Sequence, residues 1–343
     1  GVQIEEDRPL PQSTQARELL GRMEAKSDIF AKLGLHFGAS RQAIASPCRA
    51  CAMCLYGCPY RLIFNAGDTV EQMAAEGALR YQGGVIVKSF AEHADGVTLA
   101  TSAGKFEAER LFIAGGVLPT TRLVLGSLGL VGHEVVIQDS QHFYLPMLHR
   151  WSTPDPADEP RHTLAQAFWA IDDPKVERHV VHAQLYTYND TYAPDMAQRF
   201  GPFADVAQPL IERLSRRLIV AQPFLHSAVS PAIGVRLVGD RLFYHRIDNP
   251  RTKGAISRVK SRIAKAAWAA GLVPLTPLLR PGTLGSSFHC GGSLPMRESP
   301  IKGECDTLGR PKGLKRTHIV DASIFPMIPR SSKKCARCPA CVP

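Results

Sequence analysis

The residues best equipped for chemistry in this chain are its cysteines. Four fall in the stretch CRACAMCLYGCP, at Cys48, Cys51, Cys54 and Cys58, with Pro59 directly behind the last. Thiolates at this spacing in one loop can converge on iron or zinc, and with the trailing proline they form the ligand run of bacterial iron–sulfur proteins. Cys335, Cys338 and Cys341 repeat the first three positions of such a run without a fourth. Two readings stay open for the loop. A cluster at Cys48, Cys51, Cys54 and Cys58 would pass electrons to an external acceptor protein; a metal-free loop would simply pack its thiols. Seven of the nine cysteines lie in these two clusters, which favours metal-ligand over disulfide spacing and a reducing, cytoplasmic compartment.

A second centre is the segment SSFHCGGSLPM, which contains His289. Histidine ionises near neutrality, so it can take a proton and return it. Gly291 and Gly292 behind it leave the backbone free to approach a flat ring. Taken alone, the segment fits a structural histidine in a glycine loop better than a catalytic one. Gly115 and Gly116 close the apolar run LFIAGG, a buried strand entering a glycine turn, where the backbone can come close to a ligand. Asp321, Ala322 and Ser323 follow the strand THIV, where an Asp-initiated turn is the plain alternative to ligand contact. Asn65, after the cysteine run, either touches a cofactor or caps the next segment.

Four blocks in order resemble the glucose–methanol–choline (GMC) family of FAD-dependent oxidoreductases. CRACAMCLYGCPYRLIFNA resembles the cysteine-rich loop of some bacterial members, and ERLFIAGGVLPTTRLVLGSLGL the strand, glycine turn and helix near the flavin nucleotide. SSFHCGGSLPM is similar to the family's histidine–glycine segment, and CDTLGRPKGLKRTHIVDASIFP to the stretch that ends in Asp-x-Ser and Phe-Pro. The resemblance spans roughly residues 45–330. It implies FAD as cofactor, an alcohol such as a sugar or sterol-like hydroxyl as substrate, and hydride transfer to flavin with His289 as acid and base. It also implies that Asn65, Gly115, Gly116, Gly292, Asp321, Ala322 and Ser323 contact the cofactor. The implied fold is α/β with an α+β substrate domain: an incomplete Rossmann-like FAD-binding part plus a multistranded β-sheet substrate domain.

Two features depart from the family pattern. The string G-x-G-x-x-G is missing, so the ADP-binding unit would lie upstream of the opening GVQIEEDRPLPQ, which reads like the interior of a longer protein. After the FP turn, RSSKKCARCPACVP stands where the family carries a second catalytic histidine or asparagine. The alternatives to an active oxidoreductase are an iron–sulfur electron-transfer protein and an inactive fragment with a binding role.

The elements that position these residues are read from periodicity. Helices are expected over 13–33, from Thr69 to the Gly83-Gly84 pair, after Pro119, and over the basic stretch ISRVKSRIAKAAW, whose Ile256, Val259 and Ile263 sit at helical spacing. Short strands are expected in GVIVKSF, GVTLATS and GKFEAERLFIAGG, and a β-rich unit over 134–250. The resulting division is 1–133 and 281–329 for the cofactor part, 134–280 for the substrate sheet, and 330–343 for an atypical tail. The chain has 343 residues, is 45% hydrophobic and carries a formal charge of +10. That composition suits a globular protein with a substantial core. The basic balance matches a solvated surface better than a nucleic-acid partner, since no nucleic-acid motif accompanies it. No apolar window is long enough for a transmembrane helix.

Overall fold

The computed structural model describes residues 10–328 apart from 46 and 152; Cys335, Cys338 and Cys341 lie outside them. The fold is mixed α/β with several sheets, as the sequence leads one to expect. Helix α1 (Thr14–Glu24) starts at Ser13, whose hydroxyl caps Ala16 N, and a break at Ala25 separates it from α2 (Ser27–Lys32). Strand β1 (Leu35–Ala39) follows, and after the cysteine loop comes α3 (Ala66–Ala75). That helix ends at Glu76 rather than at Gly83-Gly84, because Gly77 already takes a left-handed φ of +73° and stops it.

A local meander of β2 (Val87–Glu92), β3 (Val97–Thr101) and β4 (Gly104–Ala108) leads into β5 (Leu111–Ile113) and α4 (Val117–Ser127). Strand β6 (Glu134–Gln138) then feeds β7 (Phe143–His149), β8 (Ala167–Ile171) and β9 (Val181–Tyr186). Two helices, α5 (Tyr192–Phe200) and α6 (Ala204–Ser215), interrupt the segment read as purely β-rich. Strands β10 (Leu218–Phe224), β11 (Ala232–Val238) and β12 (Arg241–Ile247) precede the basic helix α7 (Thr252–Ala269). Strands β13 (Leu272–Pro274), β14 (Arg280–Pro281) and β15 (Thr317–Ile319) complete the set.

The largest sheet is seven-stranded, ordered β1-β8-β9-β10-β7-β13 with β14 also on β7. Its edge strand β1 comes from the region that the sequence division groups with the cofactor part, and pairs Leu35–Ala39 antiparallel with Ile171–Ala167. One face of the sheet carries Leu145, Met147, Trp169, Ile171, Ala183, Leu185 and Ile219, all within a single core cluster. Leu19 and Met23 of α1, Phe30 of α2 and Val259 and Ile263 of α7 seal that face. A fully buried leucine-sized side chain contributes roughly 1.5–3 kcal/mol, so this face is the main source of stability. Helix α7 is amphipathic as its spacing requires, but Arg262 turns inward, bonding Leu33 O and pairing with Asp173 at 2.7 Å.

Alternation along the strands turns Tyr144, Phe168, His182, Gln184, Tyr186 and Gln222 to the other face. Elsewhere β12-β11-β6 form a three-stranded sheet, and β5 pairs with β15 in a short parallel ladder. Among the described residues no helix is long and apolar enough to cross a membrane.

His149, 1% exposed, ties α1 to the sheet. Its Nδ1 donates to Trp151 O at 2.9 Å, so its Nε2 must accept from Gln15 Nε2 at 3.1 Å. Burial holds this imidazole below its ordinary range, and protonation would set two donors against each other. Below about pH 6.5 the unfolded chain takes up protons before the folded one does. This contribution to stability is therefore complete above that pH and is lost as pH falls through the folded value. Urea midpoints are expected to drop on acidification, with a shallower slope in His149→Gln; buried His142 and His162 shift in the same sense and keep part of the slope.

Candidate active site

Three segments distant in sequence meet at one junction. The glycine turn before α4 is joined to the Asp321 turn: Gly116 N and Thr120 Oγ1 both donate to Asp321 Oδ2, at 3.0 and 2.6 Å. Asp321 thereby caps a helix N-terminus that has no acidic residue of its own in the first turn. Its other oxygen accepts Ser323 N at 2.9 Å and closes the 3-10 turn Ala322–Ile324. The histidine segment runs alongside, with Gly292 N to Ala322 O at 2.9 Å and Leu294 N to Ser323 O at 2.8 Å. A bond of 2.7 Å between Thr121 Oγ1 and Ser293 Oγ links that segment to α4 directly.

The glycines of the histidine segment are needed for packing against this turn. A Cβ on Gly291 would collide with the Ala322 carbonyl oxygen and stand 2.8 Å from Ile328 Cδ1. On Gly292, at φ +75°, a Cβ would stand 2.8 Å from Phe325 O. Gly291→Ala is expected to cost about 3 kcal/mol, the upper end of overpacking, because the obstacle is backbone rather than a flexible side chain; thermal unfolding measures it. Gly116 is different: at φ +85° it has nothing within 4 Å of a would-be Cβ, so its face is open. Ser323 Oγ is fully buried with no hydrogen-bond partner.

His289 stands at the outer edge of the junction, its ring 4.9 Å from that of Phe224 at the end of β10. One side of the imidazole rests on this apolar neighbour while the other stays open. Desolvation lowers its pKa, and the nearby Asp139 carboxylate only partly offsets this. The ring is therefore neutral near pH 7, the state a proton acceptor requires. The loop that carries it is under strain: Phe288 has φ +61°, costly for a bulky residue, and is 88% exposed.

A buried aspartate that sequence reasoning does not single out holds this loop. Asp139, 2% exposed, accepts Gly285 N at 2.7 Å, Ser140 N at 2.8 Å and the hydroxyl of Ser287. Ser287 Oγ in turn accepts His289 N at 3.0 Å. Gln138 adds a bridge to Gly291, with N to O at 2.8 Å, and its side chain donates to Pro326 O at 3.0 Å. The polar run QDSQH after a strand is the one hint the sequence contains, and it does not indicate burial.

Asn65 is not drawn into the junction by its side chain. Its Oδ1 accepts Gly67 N at 2.9 Å and caps α3, the plainer of its two expected roles. The cysteine loop lies against the sheet domain. Ala52 N donates to Arg161 O and Arg161 N to Ala50 O, both at 2.9 Å, so residues 50–52 run flat beside Arg161. Ala50 and Ala52 adopt φ of +50° and +61° to do so. Cys48, Cys51, Cys54 and Cys58 do not gather: among the described residues no group of three or more His, Cys, Asp or Glu is placed to hold a metal ion. The loop as folded does not fit a cluster.

Two of its sulfurs do accept backbone N–H groups, Cys48 from Ala50 and Cys58 from Leu62, each at 3.4 Å. The N–H groups around Cys58 pull its thiol below the ordinary range, whereas burial raises Cys290 and pushes Cys305 up to about 12. Iodoacetamide near neutral pH is expected to label Cys58 well before Cys290 and to leave Cys305 unmodified in the folded protein, read by peptide mass spectrometry.

No family model matches the chain, and no curated protein matches it. Among solved structures it is similar to an FAD-dependent oxidoreductase from Chaetomium thermophilum at 11% identity and TM-score 0.45, over 79% of this chain and 61% of that one. It is similar to a formate oxidase at 15% identity and TM-score 0.40, over 71% and 56%. An L-proline dehydrogenase from P. horikoshii aligns at 11% identity and TM-score 0.30, over 94% and 76%. The chain thus spans 61% and 56% of the first two structures. At TM-scores this low the likeness assigns no activity, and the functional reading rests on the junction itself.

Proposed function

We propose that this chain is the cofactor-covering and substrate-binding portion of a GMC-type, FAD-dependent oxidoreductase that oxidises an alcohol to a carbonyl. One observation carries the reading. The glycine turn, the Asp321 turn and the His289 segment, each suggested separately by the sequence, are hydrogen-bonded into one junction. The residues there suit a flavin nucleotide: Gly116 is open on one face, and Ser323 Oγ is buried and unpartnered. Leu118, Phe288, Phe325 and Met327, on the same segments, are exposed apolar side chains. Gly115, Gly116, Gly292, Asp321, Ala322 and Ser323 are assigned to the cofactor; Asn65 is assigned to its helix cap.

FAD at this junction supplies a two-electron hydride acceptor. The chain's own part is proton handling and positioning. His289 takes the proton of the substrate hydroxyl as the carbon gives up its hydride, so that the O–H and C–H bonds break and a C=O bond forms. Asp139 and Ser287 keep the histidine loop from shifting during that exchange. Phe224 supplies an apolar wall, and Gln222, which donates to Tyr144 Oη at 3.1 Å, extends a polar lining along the sheet. Reoxidation requires an external electron acceptor.

Flavin absorbance, iron content and alcohol-dependent dye reduction of the purified protein test the proposal. Bound FAD with reduction by alcohols supports it. Iron and sulfide without flavin would replace it with an electron carrier, and neither cofactor with a binding fragment.

A further inference from the structure

The seven-stranded sheet ends on one side at β1, which pairs with β8 alone. The hydrogen bonds at its two ends fix which way each backbone group points. Asp172 N donates to Gly34 O at 2.8 Å and Ser40 N to Gln166 O at 3.0 Å. Even-numbered residues therefore bond to β8, and odd-numbered ones turn their N–H and C=O groups away from the sheet. Among the described residues those outward groups of Leu35, Phe37 and Ala39 have no hydrogen-bond partner.

Other edge strands of the molecule are blunted. Strand β12 carries Arg241 and Arg246, β4 carries Lys105 and Glu107, and β13 ends in Pro274. Charge and proline on an edge discourage the addition of a further strand. The sequence of β1, LHFGA, contains neither. Beside it runs a groove of about 480 Å³, lined by Ser27 and Ala31 of α2, by residues 34–37 and by Asp172. An open edge with a groove along it is the shape that accepts an added strand.

The sequence of β1 itself points to the occupant. A two-fold axis that sets Phe37 opposite its own copy pairs odd-numbered residues with odd-numbered ones, so the outward groups exchange hydrogen bonds. It also sets Leu35 opposite Ala39 and His36 opposite Gly38, large against small, with an aromatic cross-strand pair at the centre. Leu35, Phe37 and Ala39 share the face of Ile171, Trp169 and Ala167, so the added strand extends the main core. Helix α2 has Asp28 in its first turn and Lys32 in its last, both exposed. The same axis runs α2 antiparallel to its copy, which brings opposite charges to matching ends.

We propose that this chain forms a two-fold dimer through β1, joining two seven-stranded sheets edge to edge. A contact of this kind uses the same patch on both copies and closes on itself. Its axis stands perpendicular to the sheet, so the face that carries Tyr144, Gln184 and Gln222 is left uncovered. The inference does not depend on the alcohol-oxidising reading above.

Sedimentation equilibrium and residue-resolved amide exchange by NMR test it on the purified chain. Wild type should sediment as a dimer that dissociates on dilution. The amides of Leu35, Phe37 and Ala39 should be protected in the dimer and exchange faster on dilution, while those of His36 and Gly38, bonded to β8, should not respond. Ala39→Pro removes an outward N–H from each copy and spares the β8 ladder, a position where proline is tolerated. It is expected to weaken the dimer about 10–100-fold. A wild type that is monomeric at every concentration, or an Ala39→Pro dimer as tight as wild type, overturns the proposal. Outward amides that exchange freely in a dimer overturn it as well, because the contact then lies elsewhere. Protection that persists in the monomer assigns the edge to a segment of the same chain and has the same force. If Ala39→Pro misfolds, the wild-type exchange pattern supports or overturns the proposal by itself.

Discussion

His289→Ala is expected to lower alcohol-dependent dye reduction by about 10²–10⁴-fold, the range over which a positioned acid–base group contributes. Folding should be nearly unaffected. The ring is open on one side, and the loop is anchored by His289 N on Ser287 Oγ rather than by the imidazole. FAD content should also persist, because the cofactor is assigned to the glycine turn and the Asp321 turn. A variant that retains the rate would remove His289 from the chemistry; one that loses flavin would make it a cofactor ligand instead. Since burial lowers its pKa, the wild-type rate should be on its upper plateau at neutral pH and fall on acidification as the histidine becomes protonated.

Asp139→Ala should act through stability and geometry together. The carboxylate satisfies Gly285 N, Ser140 N and the Ser287 hydroxyl in a site closed to water. Leaving such donors unpaired costs about 1–3 kcal/mol each, and because the losses are not additive a total of about 3 kcal/mol or more is expected. The measured effect should be a lower urea midpoint at unchanged m-value. Activity should fall further than folded fraction explains, because the loop that aims His289 is no longer pinned. Asp139→Asn recovers only part, since either placement of the amide sets its NH2 against a backbone N–H. Equal loss of stability and activity would reduce Asp139 to a purely structural residue.

What is legible in the sequence divides along a physical line. The meander β2–β4, the hairpin β11–β12 and helix α7 depend on near neighbours, and their periodicity survives in the chain. Helix α3 reads as longer than it is because two glycine stops lie within a few residues and the first one acts. Helices α5 and α6 stay hidden because Pro194, Pro202 and Pro209 break their pattern inside a β-rich stretch. The site shows the same division. His289, Gly116 and Asp321 belong to recognisable blocks, and the structure joins those blocks. Asp139 has no local signal, because Gly285 and Ser287, which it holds, lie 146 and 148 residues away. The cysteine run is the opposite case: its spacing permits convergence, and among the described residues the fold does not bring the thiols into a metal-holding group.

The strand order of the large sheet also governs when the protein can fold. Strand β1 waits for β8, and β7 is flanked by β10 and by β13 from the far side of α7. The meander can close on the ribosome almost as soon as it emerges, but the main core cannot consolidate until residue 274 has been synthesised. Until then α1 and β1 have no face to cover, so contacts of high sequence separation make the sheet a late and slow event. A nascent chain arrested before α7 should therefore be clipped by protease across α1 and β1 (Thr14–Glu24 and Leu35–Ala39), whereas one released past β13 should be protected there.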